Sequence, residues 1–269
     1  MDIMSSDVQK YRDELQNILR NAENAMQGLK GSIEQEMKPM ENNPQANLSE
    51  KKVFFSFLFF KIDPKWRWMA DLAKEESAKE VENVIKRSNV KFRSYSTLGL
   101  RDDAEFLLWF ASESLDEIQN VVSKIYLTVF GKYIYPTHVY LSNTRPSIYA
   151  KGSKSHGWLA EEEQKKYVIV YPFIKTREWY LLSVQERQQM MDEHIQIGKK
   201  YPQVILNTTY SFGIHDAEFM LAFETDDLHA FQNLIMELRE TKVSRYIKVD
   251  TPMIVGAKKD IIPLIASLG

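Results

Sequence analysis

Hydrophobic positions follow two rhythms along the chain. Near the N-terminus Val8, Tyr11, Leu15, Ile18, Leu19, Ala22, Met26, Leu29, Ile33 and Met37 recur at spacings of three and four. This predicts an amphipathic helix, with Ser6 or Asp7 as its cap and Pro39 near its end. Pro39 to Ser49, with two prolines and three asparagines, reads as a linker. The helix is therefore an extension whose apolar stripe covers a neighbouring surface. Beyond residue 50 apolar runs of strand length, such as Val53 to Phe60, alternate with segments of helical period.

These later elements repeat. Leu98-Gly99-Leu100 followed by Asp103-Ala104-Glu105-Phe106 is echoed by Phe212-Gly213-Ile214 followed by Asp216-Ala217-Glu218-Phe219. Phe110 to Leu115 aligns with Phe223 to Leu228, Ile118-Gln119-Asn120 with Phe231-Gln232-Asn233, and the strand Val53–Ile62 with Tyr167–Ile174. Each copy reads strand, helix, strand, turn, strand, helix, strand. The second copy is expected to place strands at Tyr167–Pro172, Val204–Tyr210, Glu218–Phe223 and Met253–Ala257, and helices at Val184–Tyr201 and Asp227–Glu240. Gly99 and Gly213 fall between β-rich runs, where a tight hairpin needs positive φ. A β-α-β-β-α-β unit is the split ferredoxin-like motif. The predicted class is α+β: tandem ferredoxin-like repeats that form a dimeric α+β barrel within one chain, with an N-terminal helical extension. The expected division is 1–49 helix and linker, 50–160 first repeat and 161–269 second repeat. Pro136 to Gln164 is expected to connect the two.

The repeat breaks at a polar residue. The first helix of the second copy opens on Ser183 and Glu186, a capping box, and places Met190, His194, Ile197 and Tyr201 on one face. Counting back from the hairpin glycine, the first copy has Glu80 near that place and no histidine. An inward histidine flanked by methionines is most often a hydrogen-bonded core residue. The alternative is an axial ligand to a flat apolar cofactor, for which methionine and isoleucine are suited neighbours and neutral imidazole the usual haem donor. Gly198, one turn on, removes a side chain where a planar ligand could approach. His138, His156, His215 and His229 are expected at loop or helix-surface positions without zinc-site spacing.

Tyr171-Pro172-Phe173-Ile174-Lys175, Trp179, Glu186-Arg187-Gln188 and His194-Ile195-Gln196-Ile197-Gly198 resemble the chlorite dismutase-like superfamily. So do Tyr210-Ser211-Phe212-Gly213, Phe223 to Leu228, and Val243-Ser244-Arg245-Tyr246. The resemblance runs from about residue 50 to the end and is strongest in the second copy. It implies a haem-binding barrel, a homo-oligomer (usually a ring of five), and His194 as the iron ligand. It also implies one of two activities. Chlorite-degrading members carry an arginine at the position of Leu206, and an acid that supports the proximal histidine near Lys242-Val243. The arginine is missing here, and so is the acid unless Glu237 or Glu240 reaches in. Coproheme decarboxylases use the tyrosine and lysine matched by Tyr171 and Lys175. The implied reaction is then peroxide-dependent: the iron is oxidised, a tyrosyl radical forms and two propionates lose carbon dioxide to become vinyls, converting iron-coproporphyrin III to haem b. The resemblance further gives Ser244 and Arg145 to the propionates, although a serine near a helix end commonly caps and Arg145 could serve a structural ion pair. The alternatives are a chlorite-consuming haem peroxidase, and a haem carrier or non-catalytic relative.

Composition narrows the field. The 269 residues are 44% hydrophobic and 12% aromatic, enough for real cores. The 35 basic and 37 acidic residues nearly cancel, so no bulk field attracts nucleic acid or anionic membrane. The absence of cysteine removes disulfides, thiolate metal sites and thiol nucleophiles. No run reaches the roughly 18 apolar residues of a membrane span. The polar, acidic start is unlike a secretory signal, which predicts a cytoplasmic protein. Histidine, tyrosine, lysine and carboxylates are left for chemistry. A phenol can release an electron with its proton, and a lysine offers three N–H donors to a carboxylate.

Overall fold

A computed structural model describes residues 52–147, 149 and 164–269, with Gln16 and Arg20 as two isolated helical positions. The expected N-terminal helix and linker, and His156, otherwise lie outside the described residues. Internal contacts divide the chain into Met1–Leu48 and Ser49–Gly269, and the elements below belong to the second unit.

The first half runs β1 (Phe54–Ile62), α1 (Asp71–Lys86), β2 (Lys91–Ser96), β3 (Phe106–Ser112), α2 (Leu115–Leu127) and β4 (Ile134–Asn143). The second runs β5 (Tyr167–Lys175), a short α3 (Arg177–Leu181), α4 (Val184–Gly198), β6 (Ile205–Tyr210), β7 (Phe219–Thr225), α5 (Leu228–Arg239), β8 (Ile247–Val249), β9 (Ile254–Lys258) and α6 (Ile261–Ala266). The fold is thus mixed α/β around one large antiparallel sheet. Its strand order is β7-β6-β4-β1-β3-β2-β9-β5-β8, and a further β7–β5 pairing closes it into a ring with β8 outside. Each half contributes the same sub-order, β4-β1-β3-β2 and β9-β5-β7-β6. The seams between halves are short: Tyr95 and Ser96 pair with Lys258 and Ala257, and Asn143 pairs with Tyr210.

Closure explains why β1 and β3 read as nearly continuous apolar runs. One face turns into the ring and the other meets helices, so both are buried. Inside lie Phe55, Phe57, Phe59, Trp109, Val168, Val170, Met220 and Ala222. A polar bridge crosses this interior from one half to the other: Arg93 Nη1 donates to Glu224 Oε1 at 2.6 Å, and Asn207 Nδ2 donates to the same oxygen at 3.0 Å. Tyr95 donates to Glu224 Oε2 at 3.2 Å. Each partner satisfies a charge or dipole that would otherwise be costly to bury. Gly99 and Gly213 adopt φ of 76° and 73° in the two hairpins, which glycine adopts without strain.

Two prolines depart from expectation. β5 continues through Pro172 to Lys175 rather than ending there. Alongside Pro172 only β7 pairs, because β9 stops opposite Val170 and β8 starts opposite Ile174. The missing N–H costs nothing on such an open edge. Pro136 likewise lies within β4, at the register shift between Phe59 and Phe60, so the connection begins after Asn143. His138 is accordingly a strand residue.

Candidate functional site in the second half

Register makes the two halves comparable residue by residue. Leu58 pairs with Leu108, which pairs with Ser94. Tyr171 pairs with Leu221, which pairs with Thr208. Tyr171 therefore occupies the place of Leu58, and Lys175 that of Ile62. Two residues beyond each strand a short helical turn begins, and it buries Trp66 in one half and Trp179 in the other. Five residues after each tryptophan the next helix starts, at Asp71 and at Val184. That spacing sets His194 against Val81, one residue on from Glu80, and Gly198 against Ile85.

In the first half Leu58, Ile62, Val81 and Ile85 belong to one dense core with Trp66, Phe106, Phe110 and Phe130, completed by Ile261, Leu264 and Ile265 of α6. In the second half these four places hold a phenol, an amine, an imidazole and no side chain. The buried cluster there reduces to Ile169, Tyr171, Phe223, Phe231 and Leu234. α4 contains no fully buried residue, whereas α1 buries Ser77, Ala78, Val81 and Ile85. Only its C-terminal end touches the cluster, through Ile197 and then Tyr201, while Met190 is half-buried outside it. A side chain built at Gly198 would meet nothing within 4 Å. Leu206, in the row with Phe223 and Ile169, is 41% exposed.

Electrostatics follow from this hollowing. His194 is half-buried, and its Nδ1 is sealed from solvent without a hydrogen-bond partner. Burial, seconded by the Lys175 ammonium, pulls its pKa down to about 4, so the ring is neutral at pH 7. Glu237, offered above as its supporting acid, is instead taken by Lys200 at 2.7 Å and Tyr201 at 2.5 Å. Lys175 is buried, with Nζ 4.1 Å from the centroid of the Trp179 ring and 5.5 Å from that of Phe173. Burial lowers its pKa to about 8 against the opposing pull of Glu218. Tyr171 is buried and stacked on Phe223 at 5.9 Å. Burial first, and Asp250 second, push its phenol well above the ordinary range.

Ser244 donates to the carbonyls of Arg239 (2.8 Å) and Thr241 (2.7 Å), a capping role. It lines a small open recess with Arg239, Ile247, Lys248 and Asp250, and the Arg239–Asp250 pair acts on the Tyr171 phenol. Arg145 is exposed, and its charge lowers the pKa of Tyr210 against the upward push of burial. Tyr171 and Ile197 of α4 thus meet in one cluster, the Lys175 charge reaches His194, and Ser244 lies beside the Arg239–Asp250 pair that acts on Tyr171, whereas Arg145 acts on Tyr210.

Glu218, the acid of the second Asp-Ala-Glu-Phe word, supports the site from behind. Its Oε2 accepts the Lys175 backbone N–H at 2.8 Å and the Tyr180 hydroxyl at 2.5 Å. Glu105 does the same for Ile62 N at 2.8 Å, with Arg67 at 3.4 Å in place of Tyr180. The repeated Asp-Ala-Glu-Phe words were the available signal.

The chlorite dismutase family model matches residues 74–259. The chain belongs to that family. A coproheme decarboxylase from Mycolicibacterium smegmatis is 36% identical over 177 residues, covering 65% of this chain and 75% of the relative. Among solved structures, a mutant chlorite dismutase from Candidatus Nitrospira defluvii matches with a TM-score of 0.73 at 23% identity, over 80% of this chain and 95% of that one. The chlorite dismutase of the same organism in complex with imidazole gives 0.74 at 23%, over 80% and 94%. Both show the chlorite dismutase fold. Among the described residues no helix is long and apolar enough to cross a membrane.

Proposed function

We propose that the chain is a haem-binding oxidoreductase, that its halves are tandem ferredoxin-like units, and that it carries out peroxide-dependent decarboxylation of iron-coproporphyrin III to haem b. The observation that supports this most is the replacement of four packed aliphatics, Leu58, Ile62, Val81 and Ile85, by Tyr171, Lys175, His194 and Gly198 on the same face. A buried amine and an orphaned imidazole nitrogen both destabilise an empty fold, so they point to a ligand that uses them. The donors suit an iron porphyrin: a neutral imidazole, open space at Gly198, half-buried Met190 and Ile197, and cations for carboxylates.

In this reading His194 holds the iron, and bound iron would supply the oxidising power drawn from hydrogen peroxide. Lys175 binds and orients a propionate by charge-assisted hydrogen bonds. Tyr171, kept protonated by burial and by Asp250, gives up its proton and electron together. Ser244 and Arg145 serve the outer carboxylates. Leu206 offers no charge to an anionic oxidant, which argues against chlorite turnover. The same leucine, with no acid on His194, favours a haem carrier as the second reading.

The test is ferric coproporphyrin III with hydrogen peroxide, followed by mass spectrometry. Stepwise loss of two carboxyl groups, abolished in Tyr171→Phe, is the expected result. Tight binding that depends on His194 without any mass change would favour the carrier. Absence of a Soret shift with both coproporphyrin and haem b would remove both readings.

A further inference from the structure

We propose that Arg187 is a second carboxylate-binding residue of this site, facing one acidic side chain of a multiply carboxylated tetrapyrrole while Lys175 faces another. This rests on the porphyrin reading above and adds a residue to it. Arg187, Met191 and His194 follow one another at spacings of four and three on α4, so they share a face. The Arg187 Nε is buried and has no hydrogen-bond partner. A donor sealed from water in this way is costly unless something accepts from it.

The surroundings contain aromatic rings rather than acids. Burial raises the Tyr149 pKa, and the Arg187 guanidinium and the Trp179 indole N–H lie near enough to its phenol to oppose that shift. The Tyr149 and Trp179 rings pack with centroids 6.2 Å apart, and the Trp179 ring also meets Tyr246 at 5.6 Å and the Lys175 Nζ at 4.1 Å. Two cations thus flank one aromatic pair. Glu218 is occupied by Lys175 N and Tyr180, and Glu186 is folded back onto Ser183 in the capping box. Among the described residues no carboxylate forms an ion pair with Arg187 or with the Lys175 ammonium.

The first half shows what a merely structural cation looks like at this place. By the helix alignment Arg187 stands where Lys74 stands, and Val184 where Asp71 stands. Lys74 is paired with Asp71 at 3.4 Å and donates to the Arg67 carbonyl at 3.3 Å. In the second half the acid has become a half-exposed valine while the cation remains, now with a planar fork suited to a carboxylate.

The experiment measures Soret titrations of Arg187→Met and Arg187→Lys with two probes, ferric coproporphyrin III and its tetramethyl ester. Arg187→Met is expected to weaken coproporphyrin binding on the order of 10-fold or more, with ester affinity within about twofold of wild type. Arg187→Lys should recover part of the loss, and circular dichroism checks that each variant folds. Equal losses for both probes, or no loss for coproporphyrin, would overturn the assignment. If wild type binds neither probe, the porphyrin reading itself fails, which the same titrations reveal separately.

Discussion

Lys175→Met should make the ligand-free protein more stable while making it a poorer carboxylate binder. A lysine whose pKa falls from 10.5 to about 8 on folding loses roughly 3 kcal/mol at neutral pH relative to an uncharged side chain. Against this stand the contacts of Nζ with the Trp179 and Phe173 rings, worth about 1–2 kcal/mol when desolvated. The net expectation is a gain of about 1–2 kcal/mol at pH 7, read as a higher urea midpoint with unchanged slope. The sign also fixes the pH dependence. Below pH 8 both folded and unfolded wild type carry the proton, and the penalty is complete. Between about pH 8 and 10.5 the folded state releases it first, so wild type gains on the variant, and above that window the difference closes. A variant less stable than wild type at pH 7, or a difference flat with pH, would refute a buried, destabilising ammonium at this position.

Other expectations follow from the same face. His194→Ala should abolish or strongly shift the Soret band of bound ferric porphyrin; an unchanged spectrum would remove His194 as the ligand. Because the folded pKa of His194 lies near 4, stability present above about pH 6.5 should fall by roughly 2–3 kcal/mol as pH drops toward 4. Urea titrations of wild type and His194→Gln measure this, with the slope reduced in the variant. Gly198→Ala should be neutral or stabilising by up to about 1 kcal/mol, since its Cβ meets nothing. Gly198→Leu should instead weaken porphyrin binding at unchanged thermal midpoint. Glu218→Gln should cost about 1–3 kcal/mol, because Lys175 N and Tyr180 share its carboxylate. A thermal midpoint equal to wild type would contradict that.

Much of this was legible in residues. Apolar runs, helix spacing and the glycine hairpin give β1 and six elements of the second half within a few residues, while the short α3, β8 and α6 carry no such signal. His194 emerged as a break in the repeat. Other features depend on pairing that no local pattern carries. Pro172 looked like a strand end because the sequence does not reveal that one edge of β5 is open there. Pro136 looked like the start of a loop because the bulge that accommodates it, at Thr137, becomes visible only once β4 is paired with β1. That Lys175 replaces Ile62 requires register across three strands, and the isolation of the Arg187 Nε requires the packing around Tyr149. Glu224 and Arg93, far apart in sequence, meet only because the sheet closes.

The closed ring gives the two halves one shared interior, and that has an evolutionary corollary. A homodimer of single units could empty one packing face only by emptying both, since each subunit has the same sequence. Fusion removes that constraint. One unit can stay filled and supply rigidity, with α6 from the far end of the chain sealing it. Its twin is then free to accumulate charge, voids and reactive groups that would unfold a lone domain.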